Sequence, residues 1–191
     1  MEEHTKKYEL IDVGDDYIGN RKVYRIKALR DFESAKKGDV GGYVESEENL
    51  SHSGRCWVYD NAYVVDKARV YEDATIRGSV WIFDNAEVFG RASISGQARV
   101  FHYAKVYDHA KVFDNAQIYH SSEVYRHGVV HGNARMKRMK ATKPVTVIDN
   151  SDIIITIADN RFHVYQSKVY ISDDYPIKYR KLLTFLESLD E

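Results

Sequence analysis

An aliphatic residue recurs at every sixth position through the middle of the chain. The series begins at Val58 and continues without a break to Met136. Its members are Val58, Val64, Val70, Ile76, Ile82, Val88, Ile94, Val100, Val106, Val112, Ile118, Val124, Val130 and Met136. Two positions before each of them the residue is small, usually alanine, with Val80 as the larger exception. A short fixed period is typical of a solenoid, in which each repeat packs only on its neighbours.

The spacing inside each repeat predicts a short strand followed by a corner. Ala110 and Val112 lie two positions apart, so their side chains share one face of a strand and point inward. Phe113 must then point outward. Asp114 and Asn115 follow, and equivalent positions elsewhere carry Gly, Asn or Asp, which tolerate the backbone angles of a tight corner. Three such hexads would close one triangular coil.

The aliphatic-x-x-x-small-x spacing over residues 56–136, and more loosely from Val44, resembles the hexapeptide repeat of left-handed parallel β-helices. The resemblance implies an all-β fold. The chain departs from the pattern by placing an aromatic residue after the aliphatic one, where hexapeptide acyltransferases often carry Gly, Ala, Asp or Glu. Residues 24–32 and 36–62 also resemble a group of β-helical proteins encoded by phages and prophages.

The chain divides into a solenoid and two ends that resemble covers. We expect an amino-terminal β cap over residues 1–43, the parallel β-helix over 44–137, and a basic connector, β-hairpin and helix over 138–191. Caps are needed because the open ends of a β-helix expose unpaired strand edges. Two β-rich runs in 151–172 predict the hairpin. Pro176 begins a segment with leucines on one helical face, which would seal the last coil or pack on a partner subunit.

Residues eighteen positions apart stack in this register, which makes the three outward faces comparable. One face alternates in charge through Arg69, Glu87, Lys105 and Glu123, and is expected to be a solvated wall. Another concentrates aromatic rings and arginine without an acid in its two strand columns, and we call it the aromatic-basic face. Its candidate binding residues are Trp81, Phe83, Arg99, Phe101, Tyr119 and Arg135.

The aromatic-basic face has three interpretations. Exposed apolar patches usually mark contacts, and aromatic residues with arginine are enriched at interface hot spots. Hexapeptide β-helix proteins commonly associate side by side as trimers, so the resemblance implies a homo-oligomer interface. The same face could bind a small anionic nucleotide, because rings stack bases and arginine holds phosphate, or it could bind a host defence protein.

A basic segment follows the last regular repeat. Its residues are Arg135, Lys137, Arg138, Lys140 and Lys143. It is either a solvated connector or, if it folds beside the aromatic-basic face, an extension of that face into a positively charged groove for an anion.

Composition narrows the partners and the location. The 191 residues suit one compact unit, and the formal net charge of -1 does not favour duplex nucleic acid as a partner. The single cysteine suits a reducing cytoplasm. The amino terminus is charged and carries no signal peptide, and no apolar run has membrane length. We therefore expect a cytoplasmic protein, in a bacterial host cell, without a membrane partner.

Histidines are the candidates for catalysis. Hexapeptide acyltransferases typically rely on a histidine base and on a long loop that builds the acceptor site. His102, His109, His120 and His127 lie at corners and are the candidates for such a base, but no loop is inserted between Val58 and Met136 to shape an acceptor pocket. A zinc site would need His120, His127 and His131 to converge, and they lie on different corners and faces. The sequence predicts neither a metal nor a cofactor.

These observations favour a binding protein without enzymatic activity. The resemblance to phage-encoded β-helices implies an anti-defence effector that sequesters or inhibits a host component, either a nucleotide immune signal or a defence protein. Two alternatives stay open: an acyltransferase that uses acetyl-CoA, and a purely structural oligomer.

Overall fold

Short strands separated by corners repeat along the chain and wind into a β-solenoid of about five coils. The computed structural model describes residues 6–14, 17–18, 20–32, 35–138, 140–141, 144–149, 152–157, 160–165 and 168–170. Within these residues the fold is all-β, as the sequence predicts, apart from one short 3-10 helix, Glu47–Asn49. The strand pairings establish parallel coils, and the left-handed winding stays a prediction.

The amino-terminal part adds antiparallel strands to one end of the solenoid. Its strands are β1 (Tyr8–Ile11), β2 (Tyr17–Ile18), β3 (Arg21–Lys22), β4 (Tyr24–Ala28) and β5 (Val40–Val44). β4 pairs antiparallel with both β1 and β5, and β2 pairs antiparallel with β3 as a separate hairpin. β5 then pairs in parallel with the first solenoid strand of the same sheet. These strands therefore cover an edge that an isolated solenoid would expose.

Three parallel sheets form the walls of the solenoid. The first wall contains β7 (Tyr63–Val64), β10 (Trp81–Ile82), β13 (Arg99–Val100), β16 (Gln117–Tyr119) and β19 (Arg135–Lys137). The second contains β8 (Arg69–Val70), β11 (Glu87–Val88), β14 (Lys105–Val106), β17 (Glu123–Val124) and β20 (Lys140–Ala141). The third contains β6 (Trp57–Val58), β9 (Thr75–Ile76), β12 (Ser93–Ile94), β15 (Lys111–Val112) and β18 (Val129–Gly132).

The predicted inward positions are confirmed. Every aliphatic residue that recurs at every sixth position from Val58 to Val130 is at most 1% exposed, and Met136, the last of the series, is 3% exposed. Burying one valine or isoleucine side chain contributes about 1.5–3 kcal/mol, so the series contributes strongly to the stability of the solenoid. Ser122 takes an alanine position, and its hydroxyl donates to the carbonyl of Met136 at 3.0 Å. The buried hydroxyl is therefore satisfied.

The corners depend on residues with positive φ. Asp84, Asp114 and His102 have φ values of 59°, 58° and 59°, in the left-handed region that most side chains avoid. Asp84 compensates by accepting a hydrogen bond at 2.9 Å from the backbone N–H of His102, one coil further on. Asp114 does the same for Gly132 at 3.0 Å. The acids at the corners thus tie successive coils together.

The sheets continue beyond the regular repeats. Lys140 pairs with Glu123, so the paired positions of the last coil are one residue closer along the chain than the eighteen residues of the preceding coils. The third sheet then extends through β21 (Pro144–Asp149), β22 (Asp152–Ile157), β23 (Asn160–Tyr165) and β24 (Lys168–Tyr170). β22 and β23 pair antiparallel, which is the predicted hairpin. The predicted helix that begins near Pro176 lies outside the described residues.

Candidate functional site

The first wall of the solenoid carries the aromatic-basic face. Strand pairing aligns Trp81 with Arg99, Arg99 with Gln117, and Gln117 with Arg135. The other column continues as stacked rings, with centroids 4.8 Å apart for Phe83 and Phe101. All six candidate residues therefore lie on one wall, in the columns that the eighteen-residue register predicts.

The aromatic rings stack because the coil spacing matches a ring stack. Phe101 and Tyr119 have centroids 5.2 Å apart and planes inclined by only 5°. In the first column Tyr63 stacks on Trp81 at 4.5 Å. Strands about 4.8 Å apart hold such rings in van der Waals contact. The half-buried rings form a flat apolar surface bordered by the exposed Arg99.

The β2–β3 hairpin turns one end of this wall into a cleft. The cleft has a volume of about 300 Å³ and is lined by Ile18, Arg21, Val65, Asp66, Trp81, Phe83 and Arg99. The Arg21 guanidinium anchors the hairpin through an ion pair with the Asp66 carboxylate and lies 3.5 Å from Glu45. Within the described part of the chain Arg99 has no ion-pair partner. Its charge is therefore available to a ligand.

Sequence reasoning identified only part of this cleft. The sequence predicts Trp81, Phe83 and Arg99 as binding residues, whereas Ile18 and Arg21 come from an amino-terminal segment that the repeat does not include. Their position depends on the fold of the hairpin, and the sequence carries no signal for it beyond a glycine-containing turn.

Three predicted residues lie outside the cleft. Phe101 and Tyr119 continue the ring ladder away from the hairpin, and Arg135 lies two strands beyond Arg99. Two strand spacings amount to roughly 10 Å. The structure therefore brings Arg99 together with Trp81 and separates it from Arg135.

The basic segment divides between two walls. Arg135 and Lys137 belong to β19 on the aromatic-basic wall. Lys140 lies on the second wall, and its amine is 3.1 Å from the Glu123 carboxylate. Lys143 lies outside the described residues. The segment is thus only partly an extension of the aromatic-basic face.

The second wall shows the predicted alternation of charge. The Lys105 amine lies 3.4 Å from the Glu87 carboxylate, which also accepts a hydrogen bond from the Tyr71 hydroxyl at 3.1 Å. Tyr107 donates in the same way to Glu123 at 3.1 Å. Desolvation and the neighbouring carboxylate raise the pKa of Tyr71 to about 12. Paired charges of this kind form a solvated wall.

The corner histidines stack as two separate pairs. The ring centroids of His102 and His120 are 4.7 Å apart, and those of His109 and His127 are 5.3 Å apart on another corner. The His102 Nδ1 atom accepts a hydrogen bond from the His120 backbone N–H at 3.3 Å. Within the residues that the structure describes, no three His, Cys, Asp or Glu side chains are arranged to hold a metal ion.

A buried lysine lies beneath the amino-terminal strands. Lys7 is 0% exposed, and its amine donates to the Cys56 carbonyl at 2.9 Å and to the Cys56 Sγ atom at 3.2 Å. Burial lowers the pKa of Lys7 and raises the pKa of the Cys56 thiol, although each group partly offsets the shift of the other. Cys56 is buried, as its inward position predicts, whereas the charged partner was not expected.

No helix among the described residues has the length and apolar character needed to cross a membrane. Comparison with known proteins gives no assignment, since no family model matches the chain and no curated protein matches it in sequence.

Proposed function

We propose that this protein is a non-catalytic binding protein that holds a small anionic nucleotide in the cleft beside Trp81. The observation that supports the proposal is the lining of the cleft, where two aromatic side chains and the unpaired Arg99 meet the β2–β3 hairpin. A cleft with aromatic walls and one available cation suits a ligand that has both a flat ring and a negative charge.

Each part of the ligand has a matching group. A base can stack on Trp81 or Phe83, which is worth about 1–3 kcal/mol per base and tolerates different bases. The Arg99 guanidinium can donate paired hydrogen bonds to a phosphate. Arg21 is held by Asp66 and Glu45, so it shapes the wall of the cleft and contributes less charge.

The biological role that we propose is sequestration of a host nucleotide signal. It draws on the resemblance of residues 24–32 and 36–62 to a group of β-helical proteins encoded by phages and prophages. A phage protein that removes a nucleotide immune signal from the bacterial cytoplasm would blunt a host defence without catalysing a reaction. Side-by-side packing into a homotrimer, which we also propose, would bring a partner subunit against the remainder of the aromatic-basic face, including Phe101 and Tyr119.

Native mass spectrometry tests this proposal directly. The protein would be purified gently from bacterial cells, weighed intact, and then denatured so that released small molecules can be identified. We expect a symmetric oligomer that carries a stoichiometric nucleotide. Released coenzyme A would instead support an acyltransferase, and a consistently empty oligomer would assign the aromatic-basic face to subunit or protein contacts.

Variants assign the nucleotide to the cleft. Trp81 lines the cleft, whereas Trp57 is 2% exposed, so a stacked base should quench the fluorescence of Trp81 alone. We expect Trp81→Leu and Arg99→Gln each to weaken nucleotide binding by about tenfold or more. Lys111→Gln is the matched control, because Lys111 takes the position of Arg99 on another wall. Equal effects of Arg99→Gln and Lys111→Gln would refute this assignment.

A further inference from the structure

The corner beside the aromatic-basic face changes its charge along the solenoid. The residues that follow one another in this column are Glu45, Asp66, Asp84, His102, His120 and Arg138. The acidic end lies at the hairpin, where Glu45 and Asp66 are paired with Arg21. The opposite end carries only groups that are cationic or can become so.

Aromatic rings and cations meet at this basic end. Tyr119 pairs in register with Lys137, so the residues that follow them, His120 and Arg138, are also neighbours. The ring centroids of Tyr119 and His120 are 5.4 Å apart, and His120 stacks on His102. Lys137 and Arg138 are exposed. Three potential cations therefore border one surface within two coils.

The charge at this end is poorly balanced among the described residues. The His102 Nε2 atom lies 3.9 Å from the Asp84 carboxylate, which already accepts the backbone N–H of His102. Partial desolvation and the charges of His102, Lys137 and Arg138 lower the pKa of His120. A bound anion would relieve this repulsion and favour the protonated imidazole.

The second histidine pair shows that two stacked histidines alone do not favour a bound anion. His109 and His127 lie on a corner that carries acids and arginines together. Its charged residues are Glu72, Asp73, Arg91, Asp108 and Arg126. Acidic and basic side chains are balanced at this corner, so an anion bound there would gain little electrostatic stabilisation.

We propose that His120, Lys137 and Arg138 form a phosphate-binding subsite for an oligophosphate group. It lies two to three strands from Trp81 along the same wall, which is roughly 10–15 Å. A ligand that reaches both places must separate its base from its last phosphate by that length. This points to a nucleotide with several phosphates or a dinucleotide. The assignment to a nucleotide rests on the function proposed above, whereas the phosphate subsite does not.

Inorganic triphosphate is the probe, because it can occupy the subsite without a base. Binding to the full chain would be measured by calorimetry, together with the imidazole NMR signals of His102 and His120. We expect the titration of His120 to shift to higher pH when triphosphate binds. We also expect affinity to fall as pH rises through the titration of His120, since only the protonated imidazole adds a positive charge to the subsite.

The double variant His120→Asn/Arg138→Asn removes two cations, and asparagine tolerates the positive φ of both corners. We expect it to weaken triphosphate binding by about tenfold or more. The matched control is Arg126→Asn/His127→Asn, which makes the same changes on the balanced corner and should alter affinity by less than about twofold. Equal losses in the two double variants, or a His120 signal that ignores triphosphate, would overturn the proposal.

Trp81→Leu separates this inference from the nucleotide function. If the subsite exists, Trp81→Leu should leave triphosphate affinity unchanged. Triphosphate binding by a protein that binds no nucleotide would refute the cleft and support the subsite. If nucleotide binding depends on Trp81 but not on His120 or Arg138, the nucleotide binds in the cleft and the proposal that its phosphates reach the subsite is refuted.

Discussion

Replacing Ile94 with alanine tests the inward register of the solenoid. Ile94 lies on β12, is 0% exposed, and pairs in register with Ile76 and Val112 on the two neighbouring strands. Truncating a buried isoleucine to alanine costs about 2–5 kcal/mol, depending on how far the site can collapse. Backbone ladders on both sides hold the coils apart, so we expect the upper part of the range, about 3–5 kcal/mol.

The loss is measurable by urea and thermal unfolding followed by circular dichroism. At about 2–4 °C per kcal/mol for a chain of this length, Tm should fall by roughly 6–20 °C. Ser95→Ala is the control, because Ser95 follows Ile94 and points outward. It should change stability by less than about 0.5 kcal/mol. Equal losses for the two variants would show that Ile94 does not face the core, which would refute the register.

Three further predictions concern the corners, the second wall and the buried lysine. Asp84→Ala removes both the hydrogen bond to the next coil and the tolerance of the side chain for positive φ, so it should lower the free energy of unfolding by about 1–3 kcal/mol, as measured in urea. Asp84→Asn should lower it clearly less, because asparagine tolerates positive φ. Equal losses for the two variants would contradict this account of the corner. Tyr71 and Tyr107 have pKa values raised from 10.0 to about 12, so the folded chain keeps protons that the unfolded chain releases. The free energy of unfolding should therefore fall as pH rises from 10.0 to about 12, and it should fall less steeply in the double variant Tyr71→Phe/Tyr107→Phe. The same slope in both proteins would show that these hydroxyls titrate normally. Lys7→Ala opens a void over the buried Cys56, so it should speed the labelling of the Cys56 thiol by a thiol reagent about tenfold or more. Lys7→Met should fill the void and keep labelling slow. Rapid labelling of the unaltered protein would refute this packing.

The repeat allowed the sequence to predict most of the solenoid. Val100 and Ala98 are 0% exposed because residues two apart on a strand share a face, and this holds for every regular hexad. The stacking of Phe83 on Phe101 also follows from the register alone. Periodic positions are predictable because each coil has nearly the same neighbours as the last.

The non-periodic parts depended on tertiary structure. Arg21 and Trp81 line the same cleft because the β2–β3 hairpin folds over the wall, which brings together residues sixty positions apart in the chain. The burial of Lys7 against Cys56 likewise joins the amino-terminal strands to the first coil. Lys140 takes an outward position on the second wall because one residue is missing from the spacing of the last coil, whereas the regular spacing would give it the inward position of Ser122.

The sequence by itself therefore determined the coil, its core and the identity of the aromatic-basic face, since these follow from short-range alternation repeated many times. The same register also brings His120 beside Arg138 and Tyr119 beside Lys137. Only the tertiary structure decided that Trp81, Phe83 and Arg99 share a cleft with Ile18 and Arg21. The physical reason is that this cleft arises where a repeating wall meets a segment that does not repeat, and its formation depends on three-dimensional packing between residues distant in the chain.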